Sequence, residues 1–420
     1  MAKRRALLAS LALVLLLRAT SPGHAFVPIL VNPNAPPPLP ASTPLCPIPI
    51  RWNLSPSFGQ VPVSLYTGTD SRTHAGSVSS NIHCAAGSGQ QCFSAVQSVV
   101  NESFATWAGI ANINPNVDPR KPLGKPNATI PLTLPGTQAN LCDFKVNGIT
   151  TLCFNPSAAI SFPNGVLAFT VPVFSGGAGT VISSGSCAAG GRCSAQFAGE
   201  LVDADIMFSP SFIYTAATGT TPPQPGQFDL ETVAVHEIGH LYGLDHPPFQ
   251  AAKMFAFAPG PGEFDRGITS DDKAGMLEIY HDATPLATGS IRGKIHSPFN
   301  PDDTLNASPF TGFPIFGAHV FAVRASTGEY EVGTIGGWSC TLGDPDPSNV
   351  DPNNLFSIDG SYEIRGLKTA NDYFIYSEPI DGPTFEDNLI FFFCTFGNFL
   401  NCPPESNARH PDLDITTRFH

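Results

Sequence analysis

Residues 234–246 read AVHEIGHLYGLDH, and three of the chain's 11 histidines fall inside them. His236 and His240 are four apart. On a helix that spacing stacks two imidazoles on one face, one turn apart, where they can hold a single ion. Gly243 follows, and glycine turns a chain sharply at little steric cost. A turn there returns His246 as a third nitrogen ligand. Three nitrogens leave one position open on a tetrahedral ion, the arrangement of a catalytic zinc rather than a structural one. Zinc so held brings a bound water to a pKa of about 7 and polarises a carbonyl. Glu237 sits beside the first histidine without ligating. It is placed to take that water's proton as general base and to hand it, as general acid, to a leaving amine. The plainer reading, a helix with exposed histidines and a salt-bridged glutamate, explains neither Gly243 nor His246.

These residues need a helix to carry them. DLETVAVHEIGHLYG supplies one, with Asp229 as N-cap and Gly243 as terminator. Two more helices are legible. Val96, Val99, Val100, Phe104 and Trp107 recur at helical spacing and predict an amphipathic helix over about 92–109. TSDDKAGMLEIYH predicts another over 269–281, with Thr269 or Ser270 as cap and two aspartates in the first turn. Short strands are expected in IRWNLSP, at GVLAFTVPVF (165–174) and at ELVDADIMFS (200–209). Residues 110–160 are rich in Pro, Asn and Gly and carry no clear period. From Gly289 onward, short alternating segments bounded by Gly, Asp and Pro (GSIRGKI, GAHVFAVRA, YEVGTIGG, GSYEIRGL, DYFIYSEPI) follow the pattern of a small β-sandwich.

Composition fits this layout. A chain of 420 residues suggests two or three domains, and 39 Gly with 42 Pro at only 13% charged residues favours short strands and loops. The net charge of −13 argues against a nucleic-acid partner, which wants a basic face. Lys3, Arg4 and Arg5, an apolar run from Ala6 to Leu17 and the small-residue end Gly23-His24-Ala25 predict a signal peptide over 1–25. The run is short for a bilayer span, which leaves an uncleaved anchor as the lesser alternative, and no other stretch predicts a membrane span. Residues 26–48 are a Pro-rich linker or short propeptide. The expected divisions are then a catalytic domain over 49–284, a β-sandwich over 288–400 and a tail over 401–420. Export makes local disulfides the natural reading of Cys84 with Cys92, Cys142 with Cys153, Cys187 with Cys193 and Cys394 with Cys402. Cys46 and Cys340 are left over, paired or free. The Asp-rich insertion at 340–359 fits no calcium-loop spacing and reads as solvated, so Ca2+ is unsupported.

The stretch His236-Glu237-x-x-His240-x-x-Gly243-x-x-His246 resembles the metzincin zinc metallopeptidases, and within them the matrixins. Met254 stands where the methionine beneath the zinc is expected, SDDKAGMLEIY looks like the last matrixin helix, and GVLAFT looks like the matrixin edge strand. The likeness covers roughly 49–283. It implies an α+β fold, a twisted mixed sheet plus three helices, and a secreted endopeptidase with one catalytic Zn2+. It also implies Met254 and Gly243 as supports of the site and a polypeptide substrate paired in extended form along Leu167 and Ala168. The chain departs from the matrixin pattern at Pro247, in place of a small hydroxyl residue, and at Phe169, in place of a histidine of a second zinc. No structural zinc is therefore expected. Cys46 lacks the surroundings of the matrixin latency switch, and both a disulfide and a latency role stay open for it. The C-terminal segments look like a carboxypeptidase-regulatory or prealbumin-like domain whose ligand is unreadable. The rival reading is a catalytically silent extracellular adhesion or matrix-binding protein that keeps its zinc site; the intact Glu237 weighs against it.

Overall fold

Nine consecutive residues, Glu200–Phe208, are buried without exception, so this strand must be covered on both faces and both edges. The computed structural model describes residues 27–28, 30–31, 48–53, 63–64, 78–108, 146–187, 191–247, 252–280, 288–297, 315, 318–335 and 360–378. In chain order the elements that build and hold the site are β1 (Arg51–Trp52), α1 (Phe93–Ala108), β2 (Thr150–Cys153), β3 (Ala168–Phe174), β4 (Glu200–Phe208), α2 (Leu230–Leu241) and α3 (Ser270–Tyr280). β5 (Thr288–Lys294), β6 (His319–Arg324), β7 (Tyr330–Ile335), β8 (Ser361–Lys368) and β9 (Tyr373–Glu378) follow.

β4 is the centre of a mixed sheet. β1 and β2 pair parallel with the two ends of one of its edges, at Glu200↔Arg51 and Ile206↔Leu152. β3 runs antiparallel along the other edge, from Phe208↔Ala168 to Leu201↔Phe174. Val63–Ser64 pairs with β2. Among the described residues nothing pairs with the far side of β3, so it is an edge strand. Asp203 and Asp205 are buried on β4 and hold backbone amides of the neighbouring segment. Asp203 accepts from the amides of Asn147 and Gly148, both at 2.8 Å, and Asp205 from that of Thr151 at 2.8 Å. Strand-borne acids thus fix the irregular approach to β2, as buried polar groups require.

α1 buries the predicted face: Val96, Val99, Val100, Phe104 and Trp107. It packs on α2, where the Trp107 indole donates to the Val235 carbonyl at 2.9 Å. α3 opens with a capping box. The Thr269 amide and hydroxyl donate to Asp272 at 2.8 and 2.6 Å, and the Asp272 amide donates back to the Thr269 hydroxyl at 3.4 Å. The three helices, the strands at 165–174 and 200–209 and the mixed sheet stand where the sequence put them, each trimmed by one to three residues. No helix among the described residues is long and apolar enough to cross a membrane.

Two findings add to the sequence reading. The first concerns the stretch read as linker. Val27–Pro28 pairs antiparallel with Leu244–Asp245, and Leu30–Val31 with Ile48–Pro49. These residues precede the proline run, and their backbone is built into the fold. The second concerns the C-terminal strands, which form two antiparallel sheets, β5–β8 and β7–β6–β9. They dock on α3. A Cβ on Gly366 (φ +76°) would stand 2.9 Å from that of Ala274, and Arg365 meets Glu278 at 2.9 Å. Val320, Ala322, Val332, Ile364 and Leu367 share one buried cluster with Ala274, Met276 and Ile279. The strands bury apolar side chains against the helix.

Cys84–Cys92 and Cys187–Cys193 are disulfides, as read. Cys153 is also disulfide-bonded; its expected partner Cys142, with Cys46, Cys340, Cys394 and Cys402, lies outside the described residues. So do the signal peptide, the insertion at 340–359 and the tail.

Candidate metal centre

α2 begins where its cap fixes it. Asp229 lies in an extended conformation, and its carboxylate accepts from the Thr232 amide at 2.9 Å. Arg266 grips the same carboxylate through Nε at 2.9 Å and an Nη at 2.6 Å, and its Nε lies 3.1 Å from Glu231. It also donates to the carbonyls of Gly219 and Thr221. This cation ties the loop after Met254 to the start of the metal helix. The Asp229 side chain has no exposed surface, and burial pushes the Glu231 carboxyl up to about 7 even with Arg266 beside it. Removing the guanidinium strands two buried carboxyls. Arg266→Ala is expected to lower the unfolding free energy by about 3–5 kcal/mol, readable by denaturant titration; a loss under about 1 kcal/mol would mean that water replaces the arginine.

The far end of α2 is held as firmly. Its last carbonyls lack helical partners. Leu241 O accepts from the Trp52 indole at 2.8 Å, and Tyr242 O from the Tyr280 hydroxyl at 2.8 Å. The amide of Gly243 closes on His240 O at 2.9 Å. Gly243 then takes φ +96°, a conformation that L side chains rarely adopt, and Leu244–Asp245 leads back to His246.

The turn brings the three imidazoles together. His246 Nε2 stands 3.0 Å from His236 Nε2 and 3.0 Å from His240 Nε2. The ring centroids are 4.6–5.0 Å apart, and the three residues are the metal-capable cluster among the described residues. Their tautomers follow from the outer contacts. His236 Nδ1 lies 3.0 Å from Lys253 O and His240 Nδ1 2.7 Å from Leu244 O. A carbonyl only accepts, so both Nδ1 atoms carry the proton and both Nε2 atoms turn lone pairs inward. His246 Nε2 can offer at most one proton, so at least one 3.0 Å contact sets lone pair against lone pair. A cation at the centre removes that repulsion. Nitrogens bound to zinc at about 2.0–2.1 Å in tetrahedral geometry stand about 3.3–3.4 Å apart, close to the spacing found. Burial, and then the neighbouring His240, holds His236 well below its ordinary pKa, which keeps it the neutral imidazole that a metal requires.

Met254 is buried, its thioether against Gly239 of α2. The Met254 amide donates to Asp272 at 3.2 Å and that of Lys253 donates to Asp272 at 3.0 Å. The cap of α3 therefore holds the peptide whose carbonyl orients His236. Glu237 is 4% exposed, and its Oε2 lies 2.6 Å from the Thr170 hydroxyl. Burial raises its carboxyl to about 7, with the Thr170 hydroxyl pulling the other way; a bound dication would lower it further. Leu167 and Ala168 lie at the start of β3. The Leu167 carbonyl is turned into the fold, accepting from the Ser209 amide at 2.8 Å and the Tyr214 hydroxyl at 2.6 Å. Sequence reasoning missed Asp272, Lys253, Leu244 and Thr170 as partners of the site. Only Asp272 left a signal, as the acid three residues after Thr269.

Comparison with known proteins agrees with this geometry. Residues 188–281 match the matrixin peptidase family. Metalloendoproteinase 1 of Glycine max is 42% identical over 16% of this chain and 22% of its own length. Metalloendoproteinase 1-MMP of Arabidopsis thaliana is 47% identical over 15% of this chain and 17% of its own length. The matched segment thus spans about a fifth of these relatives. The histidine cluster lies wholly inside residues 188–281, and the family match and the relatives together support a matrixin-like metalloprotease.

Proposed function

We propose that the chain is a secreted zinc-dependent endopeptidase in which His236, His240 and His246 hold one zinc and Glu237 is the general base and acid. The β-strands from 288 onward form its accessory sandwich. The observation that carries this reading is the inward convergence of three Nε2 atoms, two with their Nδ1 protons already committed to carbonyls. Zinc held there supplies an acidified water and a polarised carbonyl. The protein does the rest. Glu237 takes the water's proton, keeps it on a carboxyl sealed from solvent, and gives it to the departing amine nitrogen, so the carboxylate is regenerated in each cycle. A polypeptide lies extended along β3. The bond from Ser209 N to Leu167 O makes Ala168↔Phe208 and Thr170↔Ile206 the wide pairs of the ladder. The amides and carbonyls of Ala168 and Thr170 then face the open edge, ready for a substrate strand. Leu167, read from the sequence as a second contact, serves through its side chain and not its carbonyl.

The test is metal removal. Protein from Phe26 onward should carry about one zinc and cleave casein or gelatin; a chelator should abolish cleavage and zinc should restore it. Cleavage that survives with no zinc in the protein would overturn the reading. Zinc bound tightly with no cleavage of any unfolded protein would favour the silent binding protein.

A further inference from the structure

We propose that Thr170 is a positioning residue for Glu237, its hydroxyl holding the carboxylate from the edge strand. This rests on the reading of Glu237 as general base. Thr170 sits on the edge strand β3, opposite Ile206. Its Oγ1 lies 2.6 Å from Glu237 Oε2 and 3.0 Å from Glu237 O. A threonine hydroxyl has one proton to give and can accept in return. Two acceptors therefore compete for one proton while Glu237 is ionised, and the shorter contact goes to the carboxylate, as charge-assisted bonds do. The bond to Oε2 fixes how the carboxylate lies, and Glu237 O stays a second acceptor at longer range. The proton in transit comes from the water and leaves on the amine; Thr170 surrenders none.

Strand packing alone does not call for this hydroxyl. Valine has nearly the same shape and suits a strand as well. The peptide of residue 170 also faces the open edge, so one residue would align both the substrate backbone and the base.

The experiment compares Thr170→Val, Thr170→Ala, Thr170→Ser and Glu237→Ala with the parent, all from Phe26 onward. Zinc content, melting temperature, kcat and KM are measured on a quenched fluorescent peptide spanning a gelatin cleavage site. The two hydroxyl-free variants should keep about one zinc and a KM within about twofold, and lose about ten- to a hundredfold in kcat, part of what a positioned general base supplies. The serine variant should stay within about threefold of the parent. Parent-like kcat in the valine and alanine variants, or a serine variant as slow as they are, would overturn the proposal. Glu237→Ala separates the two levels. If it stays active, the reading of Glu237 fails; if it is inactive while Thr170→Val is not, only the role of Thr170 fails.

Discussion

Glu237→Ala is expected to keep its zinc and its fold and to lose turnover by about a thousandfold, within the range that general acid–base catalysis contributes. The three ligands are histidines, so the carboxyl can go without emptying the cluster. Alanine is the best helix former, so α2 gains rather than loses. The variant should therefore melt close to the parent. Zinc content, melting temperature and cleavage rate are read on the same sample. Loss of zinc along with activity would place Glu237 in the metal's support and not in proton transfer.

What the sequence could say about this site was whatever is local. The spacing of His236, Glu237 and His240 is a helix property, and helix ends are announced by side chains: Asp229 caps one, Thr269 with Asp272 another. Gly243 announces a turn because no other residue turns so cheaply. What stayed hidden is what backbone groups do at a distance. The carbonyls of Lys253 and Leu244 fix two imidazoles, and a carbonyl has no letter in the sequence. Thr170 reaches Glu237 across 67 positions, a separation over which no period can be read. The pairings of Val27–Pro28 and Leu30–Val31 are two residues long, too short for an alternation to show beside prolines. Which of Leu167 and Ala168 faces the open edge turns on one bond from Ser209, and a slip of one residue reverses it.

Gly243→Ala is the other change with a large expected effect, because strain and collision coincide at that residue. At φ +96° an alanine pays about 1–2 kcal/mol for its backbone alone. Its Cβ would also press into the carbonyl oxygen of Ile50. No side-chain swing relieves that contact, since the atom it meets is backbone. Ile50 is fully buried and lies between the strand residues Ile48–Pro49 and Arg51–Trp52. The turn itself must shift. It carries Leu244, whose carbonyl orients His240 at 2.7 Å, and then His246, so two of three ligands move together. Loss of a single outer partner costs about 10–100-fold in metal affinity; here an outer partner and a ligand are displaced at once. The variant should lose zinc to a chelator at least about a hundredfold more readily than the parent, and cleavage should fall in step. Gly226→Ala is the control, because it shares a positive φ of +84° but has no heavy atom within 4 Å of the added carbon. It should pay the backbone strain, melt a few degrees lower and hold its zinc. Equal zinc retention in both variants would mean that the loop between Gly243 and His246 relaxes independently of Ile50, and that the tight turn does not set the third ligand. Zinc lost only from Gly243→Ala would tie the geometry of the centre to the Ile50 backbone, about 190 residues before the histidines in the chain but against Gly243 in the fold.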